Sequence, residues 1–122
     1  MSVNPGAEIT GGPSSAKVKE TITVTSRHTV SVKNTSKENV ACVFTYRIGH
    51  DRGGEQFLQT DNKTLTPDEI YNINAPGLFT FAPKVSGPHR MYAETIMNCG
   101  ALGNKTAKSS NWDIQVLSLI HI

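Results

Sequence analysis

Apolar and polar residues alternate along much of this chain with a period of two, which is the pattern of β-strands. The segment KVKETITVT, residues 17–25, keeps its apolar side chains on one face, and its lysines and threonines lie on the other. The segment HTVSVKN, residues 28–34, repeats this pattern. VACVFTYRI, residues 40–48, is apolar on both faces near its middle, which is typical of a central strand. We therefore predict three consecutive strands between residues 17 and 48.

Shorter strand patterns follow, and turn-forming residues separate them. The strand candidates are EQFLQT, IYNIN, LFTFA, RMYAETIM and WDIQVLSL, and the intervening DNKTLTPDE, APG and PKVSGPH are predicted as loops or turns. No segment of useful length shows a helical period. About eight short strands with frequent turns predict an all-β fold, a two-sheet antiparallel β-sandwich in which a Greek-key connection is one option.

The beginning of the chain differs in composition from the rest. Residues 1–16, MSVNPGAEITGGPSSA, are rich in glycine, proline and serine and contain few apolar side chains. This composition indicates a flexible segment. Because 122 residues are one domain by size, we predict a flexible N-terminal arm over residues 1–16 and a single β-sandwich domain over residues 17–122.

A long polar connection precedes the last predicted strand. Residues 98–111, NCGALGNKTAKSSN, are fourteen small and polar residues without periodicity. Connections of this length in compact domains tend to be functional or mobile. The sequence therefore predicts a long loop here.

The net charge argues against nucleic acid as a partner, and the sequence shows no targeting signal that would identify the cellular compartment. The net charge of +2 is too weak, and the basic residues too dispersed, for a nucleic-acid-binding surface. No apolar run approaches the length of a membrane-spanning helix, and no signal-peptide core is visible at the N-terminus. We expect a cytoplasmic protein, a protein secreted without a leader, or a mature fragment with an added Met.

The residues that usually carry chemistry are sparse and scattered. The four histidines show no metal-ligand spacing and are predicted to lie at the surface or to cap turns, and no catalytic or nucleotide-binding motif is present. We therefore predict no enzymatic activity, no metal and no cofactor. Cys42 and Cys99 each lie within an apolar strand pattern, which favours two buried thiols over a disulfide.

The remaining hypothesis is surface recognition through loops at the ends of the strands. GHDRGG, PKVSGPH and the end of the long polar connection supply polar and glycine- or proline-shaped loop tips. The candidate ligand-binding residues are His50, Asp51, Arg52, Pro88, His89, Ser110, Asn111 and Trp112.

Trp112, the single tryptophan, opens the last predicted strand. It is in step with Ile114 and Val116 and opposed by Asp113 and Gln115. This register predicts a core residue at the edge of the binding loop.

Four segments, VSVKNTSKENVACVFTYRIG, TLTPDEIYNINAPG, LFTFA and SSNWDIQVL, occur in an order that resembles the single-domain β-sandwich cytolysins, the aegerolysins and the more distant actinoporins. The resemblance covers residues 22–118, and its near-literal match is SNW at residues 110–112. It implies a β-sandwich that binds membrane lipid or glycan. The chain departs from these families because it lacks their N-terminal amphipathic helix and most of their tryptophans. The resemblance therefore implies recognition of lipid or glycan, or action with a partner, and leaves open whether pores form.

The alternative is an immunoglobulin-like or sperm-protein-like structural module. HTVSVKNTSKENVACVFTYRI also fits that pattern, in which two strands flank a polar turn. Such a module would form a homo-oligomer or bind a protein partner through edge strands. The apolar tail LSLIHI, residues 117–122, is the candidate contact, although packing on its own domain is favoured.

Overall fold

The structure is a computed structural model that describes residues 3–52 and 57–118. Its strands are β1 (Val3–Gly11), β2 (Ser15–Lys17), β3 (Ile22–Lys33), β4 (Val40–His50), β5 (Phe57–Leu65), β6 (Ile70–Phe81), β7 (Gly87–Asn98), β8 (Asn104–Lys108) and β9 (Trp112–Leu117). A single 3-10 turn, η1 (Gly100–Leu102), precedes β8 within this described part. None of the described helical segments has the length and hydropathy to cross a membrane.

Two sheets pack face to face. The small sheet has the order β1-β3-β6, and the large sheet has the order β2-β9-β7-β4-β5, with β8 also paired to β7. All the pairings are antiparallel except that of β2 with β9. The prediction of an all-β, two-sheet sandwich is confirmed.

The interior between the sheets contains two hydrophobic clusters, because alternate side chains of the long strands point inward. The first cluster is formed by Val30, Val32, Cys42, Phe44, Tyr46, Leu65, Ala75, Met97, Cys99 and Leu102. The second is formed by Ala16, Ile22, Val24, Ile48, Phe79, Phe81, Met91, Ile114 and Val116. Burying a side chain of this size contributes roughly 1.5 to 3 kcal/mol, so these two clusters are the main source of stability.

The N-terminal segment is not the flexible arm that its composition predicts. Residues 3–11 form β1 and pair with β3 from Val3↔Val32 to Gly11↔Thr25, and β2 pairs with β9. β1 tolerates Pro5 because it is an edge strand, where a missing backbone donor costs little. The prediction of a flexible arm over residues 1–16 is wrong for residues 3–11 and 15–16.

Strand β6 runs without interruption through the predicted APG turn. Pro76 is paired with Arg27 and Gly77 with Ser26. β6 is the other edge of the small sheet, so Pro76 is again tolerated. A Cβ atom on Gly77 would collide with the Ser26 hydroxyl, which explains a glycine in the middle of a strand. The first half of the predicted loop DNKTLTPDE likewise belongs to a strand, β5, and residues 55–56 of EQFLQT lie outside the described residues.

The predicted long loop, residues 98–111, contains η1 and β8. β8 is mostly exposed and has no buried face, so its sequence carries no alternation of apolar residues. It is a strand because its backbone pairs with residues 94–98 of β7. The prediction of an unstructured connection is therefore wrong.

The two cysteines form a disulfide. Val43 pairs with Asn98, so Cys42 and Cys99 face each other one step further along the same two strands. Their Cα atoms are 4.1 Å apart, and both side chains are buried. The favoured prediction of two separate thiols is wrong because it considered each strand alone, whereas strand pairing brings the two residues together.

Candidate functional site

The pairing of β4 with β7 joins two of the predicted loop sites. His50 at the end of β4 lies opposite Met91. The Asp51 N–H donates to the Arg90 carbonyl (3.1 Å), and the Arg90 N–H donates to Asp51 Oδ1 (2.8 Å). We call the surface formed by Asp51, Arg52, Val85, Pro88 and Arg90 the loop cluster.

Two histidines support the loop cluster from inside. His50 Nε2 and His89 Nδ1 are 2.8 Å apart, and His89 Nε2 lies 2.9 Å from the Val85 carbonyl oxygen. A carbonyl only accepts, so His89 Nε2 carries hydrogen and donates to Val85. In the neutral pair, His50 Nε2–H therefore donates to His89 Nδ1. The two rings also stack with their centroids 5.0 Å apart.

The burial of these rings changes the predicted roles of the histidines. His89 is 1% exposed and offers no surface to a ligand, and His50 is half-buried against Phe81. His28, in the middle of β3, is completely buried. The prediction of surface or capping histidines is wrong for His28. His89 is buried but caps the Val85 carbonyl of the preceding loop, and His121 lies outside the described residues.

Arg52 is the exposed cation of the loop cluster. Its guanidinium lies over Gly87, where an added Cβ would be 3.3 Å from an Arg52 nitrogen. Gly87 has φ of +108°, in the region that favours glycine. Within residues 3–52 and 57–118, Arg52 makes no ion pair. Its side chain is exposed.

Other charged side chains at this end of the sandwich have hydrogen-bond or ion-pair partners. One Asp51 oxygen is occupied by the Arg90 backbone. Arg90 approaches Asp113 at 3.8 Å, but both side chains are more than half exposed, so this pair is weak. Lys84 adds a further exposed cation next to Val85. Among the described residues at this end, the cations Arg52, Arg90 and Lys84 outnumber the carboxylates Asp51 and Asp113 by one.

Ser110, Asn111 and Trp112 directly precede Asp113, which pairs with Arg90 of the loop cluster. They follow β8 on the other side of β7, where Trp112 pairs with Met91. Ser110 and Asn111 are exposed, and Trp112 is half-buried against the second hydrophobic cluster. The predicted register is confirmed, because Ile114 and Val116 are buried and Asp113 and Gln115 are exposed. The indole N–H donates to the Pro13 carbonyl (3.0 Å), which leaves it unavailable to a ligand.

A buried polar chain between the two hydrophobic clusters was missed by sequence reasoning. Thr95 Oγ1 donates to the Gly6 carbonyl (2.7 Å), so His28 Nδ1–H donates to Thr95 Oγ1 at 3.1 Å. The other ring nitrogen, Nε2, lies 2.7 Å from Ser26 Oγ and accepts its hydrogen. The alternation of His28 with Val24 and Val30 was the available signal, since it puts the ring on the apolar face of β3.

The environment of this chain keeps His28 neutral. Burial lowers the pKa of His28 below its ordinary value of 6.5, and a backbone hydrogen bond with Glu94 opposes this in part. The Tyr46 ring lies 5.5 Å away between centroids. Burial, and secondarily the Asp61 carboxylate, raise the pKa of Tyr46 well above its usual value. The phenol therefore also stays neutral.

A second cluster missed from sequence lies on the outer face of the large sheet. Arg47 Nε donates to Glu94 at 2.5 Å, and Arg47 also contacts the Tyr92 hydroxyl. Lys108 Nζ lies 4.1 Å from the centroid of the Tyr92 ring, a cation–π geometry. The Tyr92 ring also covers Gly49, which leaves no space for a side chain there. The charged and aromatic side chains of this cluster therefore interact with one another.

The described residues contain no group of three or more histidine, cysteine, aspartate or glutamate side chains that could hold a metal. A polar surface depression of about 230 Å³ lies between β1 and β3, and its lining consists of Ala7, Glu8, Arg27 and Thr29. The exposed ion pair between Glu8 and Arg27 crosses it.

No family model and no curated protein matches the chain. One similar solved structure is the CARDB domain of a Pyrococcus furiosus protein, which was solved in complex with di-metal ions. It is 17% identical with a TM-score of 0.47, and the match covers 96% of this chain and 94% of that chain. The β-glucuronidase of Bacteroides uniformis is 16% identical with a TM-score of 0.47, and the match covers 91% of this chain but 13% of the enzyme. A β-glucosidase from Listeria innocua, in complex with gluconolactone, is 12% identical with a TM-score of 0.31 and coverages of 94% and 17%. With TM-scores below 0.5, these similarities assign neither a ligand nor an activity to this chain.

Proposed function

We propose that this protein is a non-catalytic recognition module that binds an anionic group of a membrane lipid or of a glycan through the loop cluster. The observation that carries the proposal is Arg52, an exposed guanidinium that has no ion-pair partner in the described residues and is set against a positive-φ glycine. Guanidinium groups bind phosphate and carboxylate oxygens through two parallel hydrogen bonds. A lipid headgroup phosphate and an acidic sugar share this chemistry.

The scaffold beneath Arg52 favours recognition because it is organised before a ligand arrives. The Asp51 N–H and carboxylate each form a hydrogen bond with the Arg90 backbone, and His89 connects the opposite loop through Val85. Loops positioned by a rigid sandwich lose less conformational entropy on binding than mobile loops. Arg90 of the loop cluster and Lys84, next to Val85 in the chain, are also exposed cations.

The edge strands argue against the alternative of assembly by edge-to-edge pairing. β1 and β6, the edges of the small sheet, carry Pro5 and Pro76 within their pairing regions. β5, an edge of the large sheet, turns the charged residues Asp61 and Lys63 to its inner face. Proline and inward-pointing charge are devices that prevent edge strands from pairing with other chains. Of the tail LSLIHI, residues 119–122 lie outside the described residues, and Leu117 is 48% exposed.

Co-sedimentation with vesicles tests the proposal and separates the two ligand sources. The intact protein is mixed with vesicles of phosphatidylcholine, of phosphatidylcholine with sphingomyelin, and of phosphatidylcholine with phosphatidylserine. In parallel, it is titrated with a sialylated oligosaccharide and its neutral counterpart. We expect Arg52→Gln to weaken the binding that occurs by about five- to tenfold, the effect of losing roughly 1 to 1.4 kcal/mol of charge-assisted hydrogen bonding.

The matched control is Lys37→Gln, which removes the same charge from the exposed β3–β4 turn at the other end of the sandwich. This variant is expected to bind like the wild type. Equal weakening by both variants would reduce the effect to net charge and contradict the proposed site. Absence of binding in both the vesicle and the glycan arms would refute the proposed function itself.

A further inference from the structure

We infer that β1 is an exchangeable strand, and that two copies of this chain form a closed dimer in which each β1 occupies the place of the other. The first observation is the weak attachment of β1 to its own domain. None of residues 4–11 is buried, although this strand pairs with β3 over most of its length and half-buried Ile9 packs against the second hydrophobic cluster. Its one hydrogen bond with a buried side chain is that of the Gly6 carbonyl with Thr95, as far as the described residues show.

The contact between β1 and β3 is also open on its outer face. The depression of about 230 Å³ lies at this seam, lined from both strands, and the ion pair across it is about half exposed. A strand with few buried apolar contacts and a solvent-exposed seam belongs to the least stable part of a fold. β1 therefore belongs to the parts of the fold that open more readily than the core strands.

The connection to β2 favours exchange once β1 opens. Three residues, Gly12, Pro13 and Ser14, carry the chain from the small sheet to the large sheet. A register shift between Ile9 and Gly11 interrupts the pairing immediately before this connection. Short hinge connections of this kind promote domain swapping, because a second copy can take up the same strand while the hinge extends.

When β1 leaves its place, the edge of β3 is open, and β1 of a second copy fits it. Without β1, twelve-residue β3 would present an unpaired backbone edge rich in valine and threonine. An incoming strand in the same register is favoured by a glycine opposite Thr29, since a Cβ at Gly6 would lie against the Thr29 hydroxyl. The β1 sequence supplies this glycine. It also brings Pro5, so the exposed edge of the dimer stays protected and growth ends at two copies.

Directed cross-linking of the full-length chain tests the exchange. Glu8 and Arg27 are exposed and lie directly opposite each other, within the Cα separation of a disulfide. Both native cysteines are already bonded, so single Glu8→Cys and Arg27→Cys variants each carry one free thiol. The two variants, distinguished by a mass tag, are mixed at high concentration in urea below the unfolding midpoint and then oxidised.

We expect a mixed disulfide between the two variants at a rate about tenfold or more above that of a control mixture, because exchange holds the thiols at a millimolar effective concentration. The control pairs Glu8→Cys with Lys33→Cys, an exposed position on the same strand but six residues from Arg27. A double variant, Glu8→Cys with Arg27→Cys in one chain, locks β1 to its own domain when oxidised. It is expected to stay monomeric in size-exclusion chromatography while the wild type forms dimers under the same conditions.

Two results would overturn the inference. One is cross-linking of Glu8→Cys to Arg27→Cys no faster than to Lys33→Cys. The other is dimer formation by the locked variant to the same extent as the wild type. Neither result depends on ligand binding at the loop cluster, which is at a different part of the molecule.

Discussion

His28 is a titratable side chain in a completely buried position. Its ring lies between two hydrophobic clusters and is completely buried, yet both of its nitrogens have hydrogen-bond partners. A satisfied neutral imidazole is tolerated there, whereas an imidazolium would lose its hydration. The residue therefore couples the stability of the fold to pH.

We predict that the free energy of unfolding falls as the pH drops below about 6.5, the ordinary pKa of histidine. The folded-state pKa of His28 is lowered, so below that pH the unfolded chain binds more protons and is stabilised relative to the folded chain. Urea unfolding at a series of pH values between about 5 and 8 measures the slope. The variant His28→Asn removes this titration and is expected to show a flatter pH dependence than the wild type. An unchanged slope in that variant would assign the effect to other groups.

Gly77 is a second residue whose identity is set by this polar chain. An added Cβ would overlap the Ser26 hydroxyl and lie 3.1 Å from His28 Nε2. We predict that Gly77→Ala lowers the free energy of unfolding by about 1 to 3 kcal/mol, as is usual for overpacking a core. Combining it with Ser26→Ala removes the colliding oxygen, so the double variant is expected to lose less than the sum of the two single variants. Strict additivity in urea unfolding would contradict the proposed collision.

At the scale of elements, strands that turn one face to the core were predictable, and strands held mainly by backbone pairing were not. β3, β4 and β9 alternate buried and exposed residues, and their positions follow from period-two patterns. β8 and β1 have no such pattern, because their side chains are exposed or at most half-buried. Their hydrogen bonds come from β7 and β3, which a local sequence window does not contain.

The disulfide is also an element-scale feature, since it joins β4 to the residue that follows β7. It closes a loop with a sequence separation of 57 residues. We predict that Cys42→Ala with Cys99→Ala lowers the free energy of unfolding by about 4 kcal/mol, mainly through the greater conformational freedom of the unfolded chain. Urea unfolding of this variant and the oxidised wild type measures the loss, with non-reducing mass spectrometry confirming the bond. Two intact thiols in the wild type purified under oxidising conditions would contradict the assignment.

At the scale of the whole molecule, the sandwich sorts the candidate binding residues by position. The end at which β4 stops and β7 begins gathers Asp51, Arg52 and Pro88 on the surface, with His50 and His89 beneath them. Ser110, Asn111 and Trp112 follow the opposite side of β7. The residue types of a binding loop were therefore visible in the sequence, but their grouping depended on which strands pair.

The sequence by itself determined the fold class, because a period of two follows from strand geometry and needs no knowledge of neighbours. It also determined the inward register of Trp112, Ile114 and Val116. The tertiary structure alone decided that Cys42 meets Cys99, that β1 lies on β3, and that Arg52 lies over Gly87 while His89 turns inside. Each of these features joins segments far apart in the chain. Local patterns record which face of a strand is buried, whereas strand order and register decide what that face meets.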